Sequence, residues 1–526
     1  MEEISTGSDP NAASGVDATR GQTSSFGPVI VGPTSPRYPE MVVGFNRRWV
    51  ASPDSVHLVG TTKQVRHVVQ EAIQTGKRIS LSSGGHCYAD FVYNSETQLI
   101  IDMSLMDQVY YDPKRKAFAI ESGAQLGRIY ETLFRGWGVT VPAGVCPTVC
   151  AGGHISGGGH GLLTRQYGLA ADYIEAVEIV VNRDGKAQTV IASRDPSDPN
   201  HDLWWACSGG GGGNFGVITR YWLRSREATG ADPSLALPRP PKEVLIATNF
   251  VPWAGLDETR FTNLIRNLGT WYEHNSDPSS PYTALSGLMF VEPVTRPGIG
   301  ILTQVDATVP NADQLLNDFL TSVTANTGVT GPFPYRRLPW FASTETIDTS
   351  NPTVMTNSTL RDAVKSVYLR RSFTDEQIAA IYQVVTRPDY VNPTGGAILQ
   401  LGANSGGRVN AVPSSDTAVF QRDSTFYALY QNYWIDPAED DLHLGWLRDL
   451  YHGTFADTGG YPVPGDRYQG CYINAPDLDI IDPAFNQSGV PWYTLYYGDN
   501  YARLQNVKAR WDPTNFFRHS LSVTAP

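Results

Sequence analysis

The stretch Pro142-Ala143-Gly144-Val145-Cys146-Pro147-Thr148-Val149-Cys150-Ala151-Gly152-Gly153-His154-Ile155-Ser156-Gly157-Gly158-Gly159-His160-Gly161 decides how the rest of the chain is read. Seven of the 18 residues from Gly144 to Gly161 are glycine, and each glycine costs about 0.5–1 kcal/mol when held in ordered backbone. Such a concentration suggests that something flat or anionic lies against this backbone. A flexible linker fits poorly, because His, Ile, Val and Cys are interspersed. Ser156 lacks the Gly-x-Ser-x-Gly frame of a hydrolase elbow. Cys146-Pro-Thr-Val-Cys150 lacks the second cysteine pair that a structural zinc site requires, so no metal is expected.

Two further segments of the same texture flank it. Upstream, Ser82-Ser83-Gly84-Gly85-His86-Cys87-Tyr88 follows the strand-like run Ile79-Ser80-Leu81-Ser82. Small residues there let backbone N–H groups converge on a phosphate, an ordinary tight turn being the plainer alternative. A P-loop is excluded, since no Gly-Lys-Ser/Thr follows. Downstream, Asp202-Leu203-Trp204-Trp205-Ala206-Cys207-Ser208 leads into five glycines at 209–213 and then Asn214-Phe215-Gly216-Val217-Ile218-Thr219. Contiguous glycines outside a βαβ unit match a Rossmann fingerprint poorly.

The whole chain sets the frame. At 526 residues it is long enough for at least two lobes. A composition of 41% hydrophobic and 17% charged residues is that of a folded soluble protein. The formal net charge, 40 − 52 = −12, argues against nucleic acid or an anionic membrane as partner. No apolar run approaches the ~18 residues of a membrane span. Met1-Glu2-Glu3 gives no positive, apolar start, so a cytoplasmic protein is expected, with secretion as the alternative. Five cysteines are too few, and odd in number, for a disulfide framework.

Short strands are expected at 56–59, 79–82, 99–102, 117–120 and 176–181, the last closed by the turn Asn182-Arg183-Asp184-Gly185. A helix is expected from Thr62 to Thr75, stopped by Gly76. Beyond the proline cluster Pro238-Arg239-Pro240-Pro241, helices at 257–273 and 375–385 alternate with β runs at 397–401 and 426–434. A helix at 501–511 closes the chain. The division expected is a flexible leader at 1–37, a cofactor domain at 38–240, a substrate domain at 241–475, and a segment at 476–526 returning to the cofactor domain.

In order along the chain stand Gly-Gly-His-x-Tyr at 84–88, Gly-x-Cys-Pro at 144–147 before Gly-Gly-His-x-x-Gly-Gly-Gly at 152–159, and Gly-Asn-Phe-Gly-Val at 213–217. Tyr496-Tyr497-Gly498-Asp499-Asn500-Tyr501-Ala502-Arg503-Leu504 follows, with the stretch from Val507 to Phe517 after it. From about residue 50 to the C-terminus these motifs resemble the berberine-bridge-enzyme-like group of FAD-linked oxidases, in the vanillyl-alcohol-oxidase superfamily. Within the group the chain looks most like bacterial oxidases that tailor sugars and alcohols of secondary metabolites, as in antibiotic biosynthesis.

The resemblance implies an α+β, two-lobed FAD-linked oxidase fold. N-terminal and C-terminal segments would form the FAD-binding lobe, and a central antiparallel sheet with helices the substrate lobe. It implies FAD attached bicovalently, His86 to the flavin 8α-methyl and Cys146 to C6. Further cofactor contacts would come from Ser82, Ser83, Gly84, Gly85, Cys87 and Tyr88, and from Gly152, Gly153, Ser156, Gly157, Gly158 and Gly161. Gly216, Val217, Tyr497, Asn500 and Asn515 would complete them. The implied reaction oxidises a hydroxyl of a sugar or polycyclic metabolite to a carbonyl, by hydride transfer to the flavin, with O2 reduced to H2O2. Oxidative cyclisation or C–C desaturation by the same flavin is the alternative. The partners are a small-molecule substrate and O2, with neither nucleic acid nor membrane.

Gly470-Cys471-Tyr472-Ile473-Asn474-Ala475-Pro476-Asp477 resembles the family's Tyr-x-Asn-Tyr-x-Asp strand, with Tyr472 at the catalytic tyrosine. Strand alternation would put Tyr472 and Asn474 on one face and Ala475, which replaces the second tyrosine, on the other. His160 stands where relatives often carry an aromatic residue, either polarising the phenol or merely touching the flavin. Tyr368 is a second candidate base, with sheet-face packing as its plainer role. Gln400, Tyr427, Tyr430, Asn432 and Trp434 would suit a sugar-like or polycyclic ligand, about half of them serving only in packing.

Overall fold

The computed structural model describes residues 27–348 and 357–526. A four-stranded sheet opens the chain, with spatial order β1 (Val29–Val31), β2 (Ser55–Leu58), β4 (Leu99–Asp102), β3 (Ile79–Ser82). β2, β4 and β3 run parallel, and β1 pairs antiparallel with β2. The helix Thr62–Thr75 connects β2 to β3. Thr61 accepts a hydrogen bond from the Gln64 N–H at its start, Val65, Val68, Val69 and Ala72 are buried, and Gly76 (φ 67°) ends it in the left-handed region. Of the expected leader, residues 1–26 lie outside the described residues. Residues 29–31 are no leader: Val29-Ile30-Val31 pairs with His57 and its neighbours as a β-strand, as a β-branched run should.

A five-stranded antiparallel sheet follows, in the order β5 (Val109–Asp112), β6 (Ala117–Glu121), β9 (Val217–Leu223), β7 (Ile174–Arg183), β8 (Lys186–Ser193). Asp184 (φ 53°) and Gly185 (φ 74°) supply the two positive angles that a tight β7–β8 hairpin requires.

Beyond Pro238–Pro241 comes a seven-stranded antiparallel sheet. Its order is β13 (Arg336–Pro339), β10 (Glu243–Pro252), β12 (Gly298–Asp306), β11 (Leu285–Val291), β15 (Ile398–Gly402), β16 (Phe426–Trp434), β14 (Arg361–Leu369). The helices Glu258–Asn275, Ala312–Thr324, Asp375–Val385 and Asp440–Thr454 pack together and against this sheet. The last helix, Tyr501–Trp511, lies against the helix His201–Cys207 of the first lobe. The fold is therefore two-lobed and α+β, its chain ending beside the lobe in which it began. Among the described residues no helix is long and apolar enough to cross a membrane.

The expected strand at 470–477 does not form. Residues 467–470 run along the open edge of β14, where the Tyr368 N–H donates to the Gly470 carbonyl (2.8 Å) and the Arg370 N–H to that of Arg467 (2.7 Å). Gly470 (φ 73°) then breaks the extended path, and Ala475 N–H bonds back to the Tyr472 carbonyl in a turn (2.9 Å). Pro476, which has no N–H, could not have continued a ladder.

Candidate active site

A cavity of about 990 Å³ lies between the glycine segments of the first lobe and one face of the seven-stranded sheet. That volume is at the upper end of the roughly 300–1,000 Å³ typical of ligand sites.

On the first-lobe wall, His86 follows β3 and its ring stacks on Phe45 (4.5 Å between centroids). His86 Nε2 lies 2.9 Å from the Thr148 hydroxyl, and Cys146 Sγ lies 3.7 Å from that same oxygen. Two segments 60 residues apart thus meet at one atom. The His86 ring faces the cavity rather than bulk water, and desolvation pushes its pKa down to about 4. The ring is neutral at pH 7, with a nitrogen lone pair available.

Ser82, Ser83, Gly84, Gly85, Cys87 and Tyr88 line the cavity, as do Gly152, Gly153, Gly161 and Gly216. Ser156, Gly157, Gly158, Val217, Tyr497, Asn500 and Asn515, expected among the cofactor contacts, do not line it. All but Asn515, whose buried Oδ1 has no partner, are engaged elsewhere. The Ser156 hydroxyl donates to the Gly153 carbonyl (3.0 Å), and a Cβ on Gly157 would collide with the Asn474 amide. Gly158 (φ 124°) is set against Val419 and the Tyr472 ring. Val217 belongs to the core under the Thr62–Thr75 helix. Tyr497 OH donates to the Gly210 carbonyl (3.0 Å), Asn500 Nδ2 to that of Ser414 (2.9 Å), and Asn515 forms a left-handed turn (φ 52°). Part of the glycine run therefore answers to the protein's own packing rather than to a ligand.

Opposite stands Tyr472. Its phenol oxygen accepts from the Gly159 N–H (3.2 Å) and from Asn474 Nδ2 (3.1 Å). Desolvation nevertheless raises its pKa to about 12, the two hydrogen bonds working against that rise. The neighbouring rings are His160 (4.5 Å), Tyr427 (6.0 Å) and Tyr368 (6.0 Å). Ala475, expected on the opposite side, belongs to this same cluster, because the segment turns instead of alternating. Tyr368 is buried behind Tyr472 and Tyr427 and does not line the cavity, so the structure does not place it as a base. His160 does line it, with Nε2 lacking a hydrogen-bond partner. Desolvation, reinforced by His154, pushes it down to about 3, so it packs beside the phenol as a neutral ring.

The Tyr472 segment is held from two faces of β14. Tyr472 N–H donates to Ser366 Oγ (3.0 Å) on one face. On the other, Lys365 Nζ bonds Asp477 (2.6 Å) and Asp479 (2.9 Å), and Tyr461 OH donates to Asp477 (2.7 Å).

The second-lobe wall draws mostly every other residue from its strands, β12 alone giving the consecutive Gly300, Ile301 and Leu302. Ile246, Leu288, Phe290 and Leu302 make it apolar, and Gln400 and Gln431 add amides. Along β16, Tyr427, Leu429, Gln431 and Tyr433 face the cavity. Tyr430, Asn432 and Trp434, expected among the ligand-facing residues, point the other way. Tyr430 packs on Tyr451 (4.9 Å), Asn432 donates to Tyr390 OH (2.8 Å), and Trp434 Nε1 donates to Asp440 (2.7 Å).

Sequence reasoning missed two histidines of the first-lobe wall. His154 Nε2 accepts from the Gly144 N–H (2.9 Å), and its carbonyl accepts from Asn474 Nδ2 (2.9 Å), linking the Cys146 segment to the Tyr472 turn. Its place inside the glycine run was the available signal. His519, in the C-terminal loop, carried none. Among the described residues no group of three or more His, Cys, Asp or Glu is arranged to hold a metal ion, and all five cysteines are free of disulfides.

Residues 53–190 match the FAD binding domain family, and residues 471–524 match the family described as berberine and berberine like. The aclacinomycin-N/aclacinomycin-A oxidase of Streptomyces galilaeus is 44% identical over 93% of this chain and 88% of its own length. The hexose oxidase of Chondrus crispus is 30% identical, over 93% of each chain. The crystal structure of a glycopeptide hexose oxidase complexed with teicoplanin superposes with a TM-score of 0.88 at 44% identity, covering 95% of this chain and 99% of that one.

Proposed function

The chain belongs to the berberine-bridge-enzyme-like FAD-linked oxidases, an oxidoreductase with FAD as cofactor, and from that premise we propose which bond it oxidises and how it holds the flavin. The reaction is oxidation of a hydroxyl on a sugar or polycyclic secondary metabolite to a carbonyl, with O2 reduced to H2O2. FAD is bonded to both His86 and Cys146. The observation that carries this reading is the meeting of His86 and Cys146 at the Thr148 hydroxyl, in a cavity that Tyr472 also lines, its phenol held by the Gly159 N–H.

The residues present fit the cofactor. The wall has glycines where an extended, anionic molecule must approach backbone, and Gly153 has nothing within 4 Å of where a Cβ would stand. Two histidine nitrogens, on His160 and His519, are shielded from solvent and make no well-aligned hydrogen bond in the protein. Bound FAD supplies the acceptor for the two electrons that leave the substrate carbon.

The chain's own residues do the rest. The neutral His86 ring and the Cys146 sulfur are the nucleophiles that anchor the cofactor. Tyr472, as the phenolate, accepts the substrate hydroxyl proton and becomes the neutral phenol, the Gly159 N–H and Asn474 amide having steadied the negative charge on its oxygen beforehand. The apolar strip Ile246, Leu288, Phe290, Leu302 excludes water and suits a flat ring system, while Gln400 and Gln431 suit hydroxyls. The relatives named for aclacinomycin and hexose, and the one bound to teicoplanin, support that substrate class.

The test begins with acid precipitation, followed by visible spectroscopy and intact mass. A yellow pellet one FAD heavier than the chain is expected, retained in His86→Ala and Cys146→Ala singly and lost in the double variant. Peroxide should then appear in equal amount to the carbonyl product from sugar-bearing aromatic substrates. A colourless pellet overturns the two-bond attachment, and product without peroxide overturns the oxidase assignment.

A further inference from the structure

His519 stands in the C-terminal loop, after the Tyr501–Trp511 helix has returned the chain to the first lobe. Its ring lines the cavity and stacks on Phe91 (3.9 Å between centroids, 26° between planes). Its Cδ2 lies 3.5 Å from where a Cβ on Gly213 would stand. Gly213 is itself in the left-handed region (φ 75°), so a bare glycine backbone faces the ring.

The hydrogen bonding fixes which nitrogen carries the proton. The Leu521 N–H donates to His519 Nδ1 (3.3 Å), so Nδ1 offers its lone pair and the neutral ring bears its hydrogen on Nε2. Nε2 is shielded from solvent and makes no well-aligned hydrogen bond in the protein, although the Gly212 backbone bears on the ring as an acceptor. A buried donor left unmade costs on the order of 1–3 kcal/mol, so Nε2 favours a better-placed acceptor than the Gly212 backbone offers. The surrounding field indicates the charge of that acceptor. Lys508, wholly buried, donates to the carbonyl of Phe517 (2.6 Å), two residues before His519, and both Lys508 and Arg78 bear on the ring. Arg518 also lines the cavity. Lys508 is paired with Asp512 (2.7 Å) and Arg78 with Glu96 (3.4 Å), so Arg518 is the cation left beside this N–H donor to favour an anionic oxygen.

Resting on the reading that FAD fills this cavity, we infer that His519 is a cofactor-binding residue whose Nε2–H donates to the FAD diphosphate. It gives the C-terminal segment a chemical reason to return to the first lobe. His86 and Cys146 hold one end of the cofactor, and His519 holds a separate, charged part of it.

The test uses the His86→Ala/Cys146→Ala chain, stripped of flavin, with dissociation constants for FAD and for riboflavin read by fluorescence. His519→Leu should weaken FAD about 10- to 100-fold, the worth of a hydrogen bond to a charged group, and leave riboflavin unchanged. His519→Gln, which keeps a donor at similar reach, should restore FAD to within about threefold. An FAD constant unchanged in His519→Leu, or an equal loss for riboflavin, overturns the inference. A parent chain that binds neither flavin overturns the cofactor reading itself, and His519's role with it. A second readout needs no stripped chain: in the flavin-loaded protein, the 31P resonances of the diphosphate should shift in His519→Leu and return in His519→Gln. Resonances that stay in place in His519→Leu count against the inference.

Discussion

The two walls of the cavity are built by opposite rules. The first-lobe wall is made of short contiguous segments in which backbone does most of the work, at 82–88, 144–154 and 211–216. The second-lobe wall takes single side chains, mostly at every other residue, from β10, β11, β12, β15 and β16, which together span 243–434. The first arrangement holds one invariant chemical object. In the second, any one side chain can change without disturbing its sequence neighbours, which face the helices instead. On the function proposed above, cofactor and substrate are recognised at different grains of the sequence.

The sharpest way to separate the walls is Tyr472→Phe. Loss of the base should lower kcat by about 10²–10⁴ while the flavin remains fully attached, as checked by steady-state kinetics and pellet spectrum. With the phenol raised to about 12, its deprotonated fraction is small at neutral pH and grows as pH rises. The activity of the native enzyme should therefore increase from pH 6 to 9, and the Phe variant should lose that slope. A variant that loses flavin along with activity would break the division of labour.

The next effect lies inside the glycine run. Gly157→Ala drives a methyl into the Asn474 amide and should cost about 1–3 kcal/mol of stability in thermal unfolding. Gly153→Ala, four residues earlier and in open space, should leave the melting temperature of the flavin-free chain equal or slightly higher. Equal losses would mean that both glycines serve packing. The smallest effect falls on the other wall, where Gln400→Leu should raise KM about 3- to 10-fold for a sugar-bearing substrate and spare kcat.

The same contrast explains what could be read from the chain. The helix at 62–75 carries its own caps and periodicity and the helix at 501–511 its periodicity, so the two-lobed fold was legible, and the local motifs around His86, Cys146 and Tyr472 marked the residues that line the cavity. Gly157 and Gly158 looked like ligand contacts because their true neighbours, Asn474 and Val419, lie more than 250 residues away in sequence. Tyr430 and Asn432 looked like ligand contacts because alternation gives two faces without saying which is inward. Tyr472 was placed on a strand because a β-like run hides the turn that Gly470 and Pro476 impose.

That turn also finishes the seven-stranded sheet. β14 is an outer strand, and its free side is closed by Asn46 and Arg47 at one end and by Arg467–Gly470 at the other. An uncovered strand of this kind is a template for pairing with another chain. Damage that frees the 467–477 segment would therefore silence the enzyme and expose an adhesive border in one event. Loss of turnover and onset of self-association would share a cause, and inactive molecules would be cleared from solution as aggregates instead of lingering as soluble competitors for substrate.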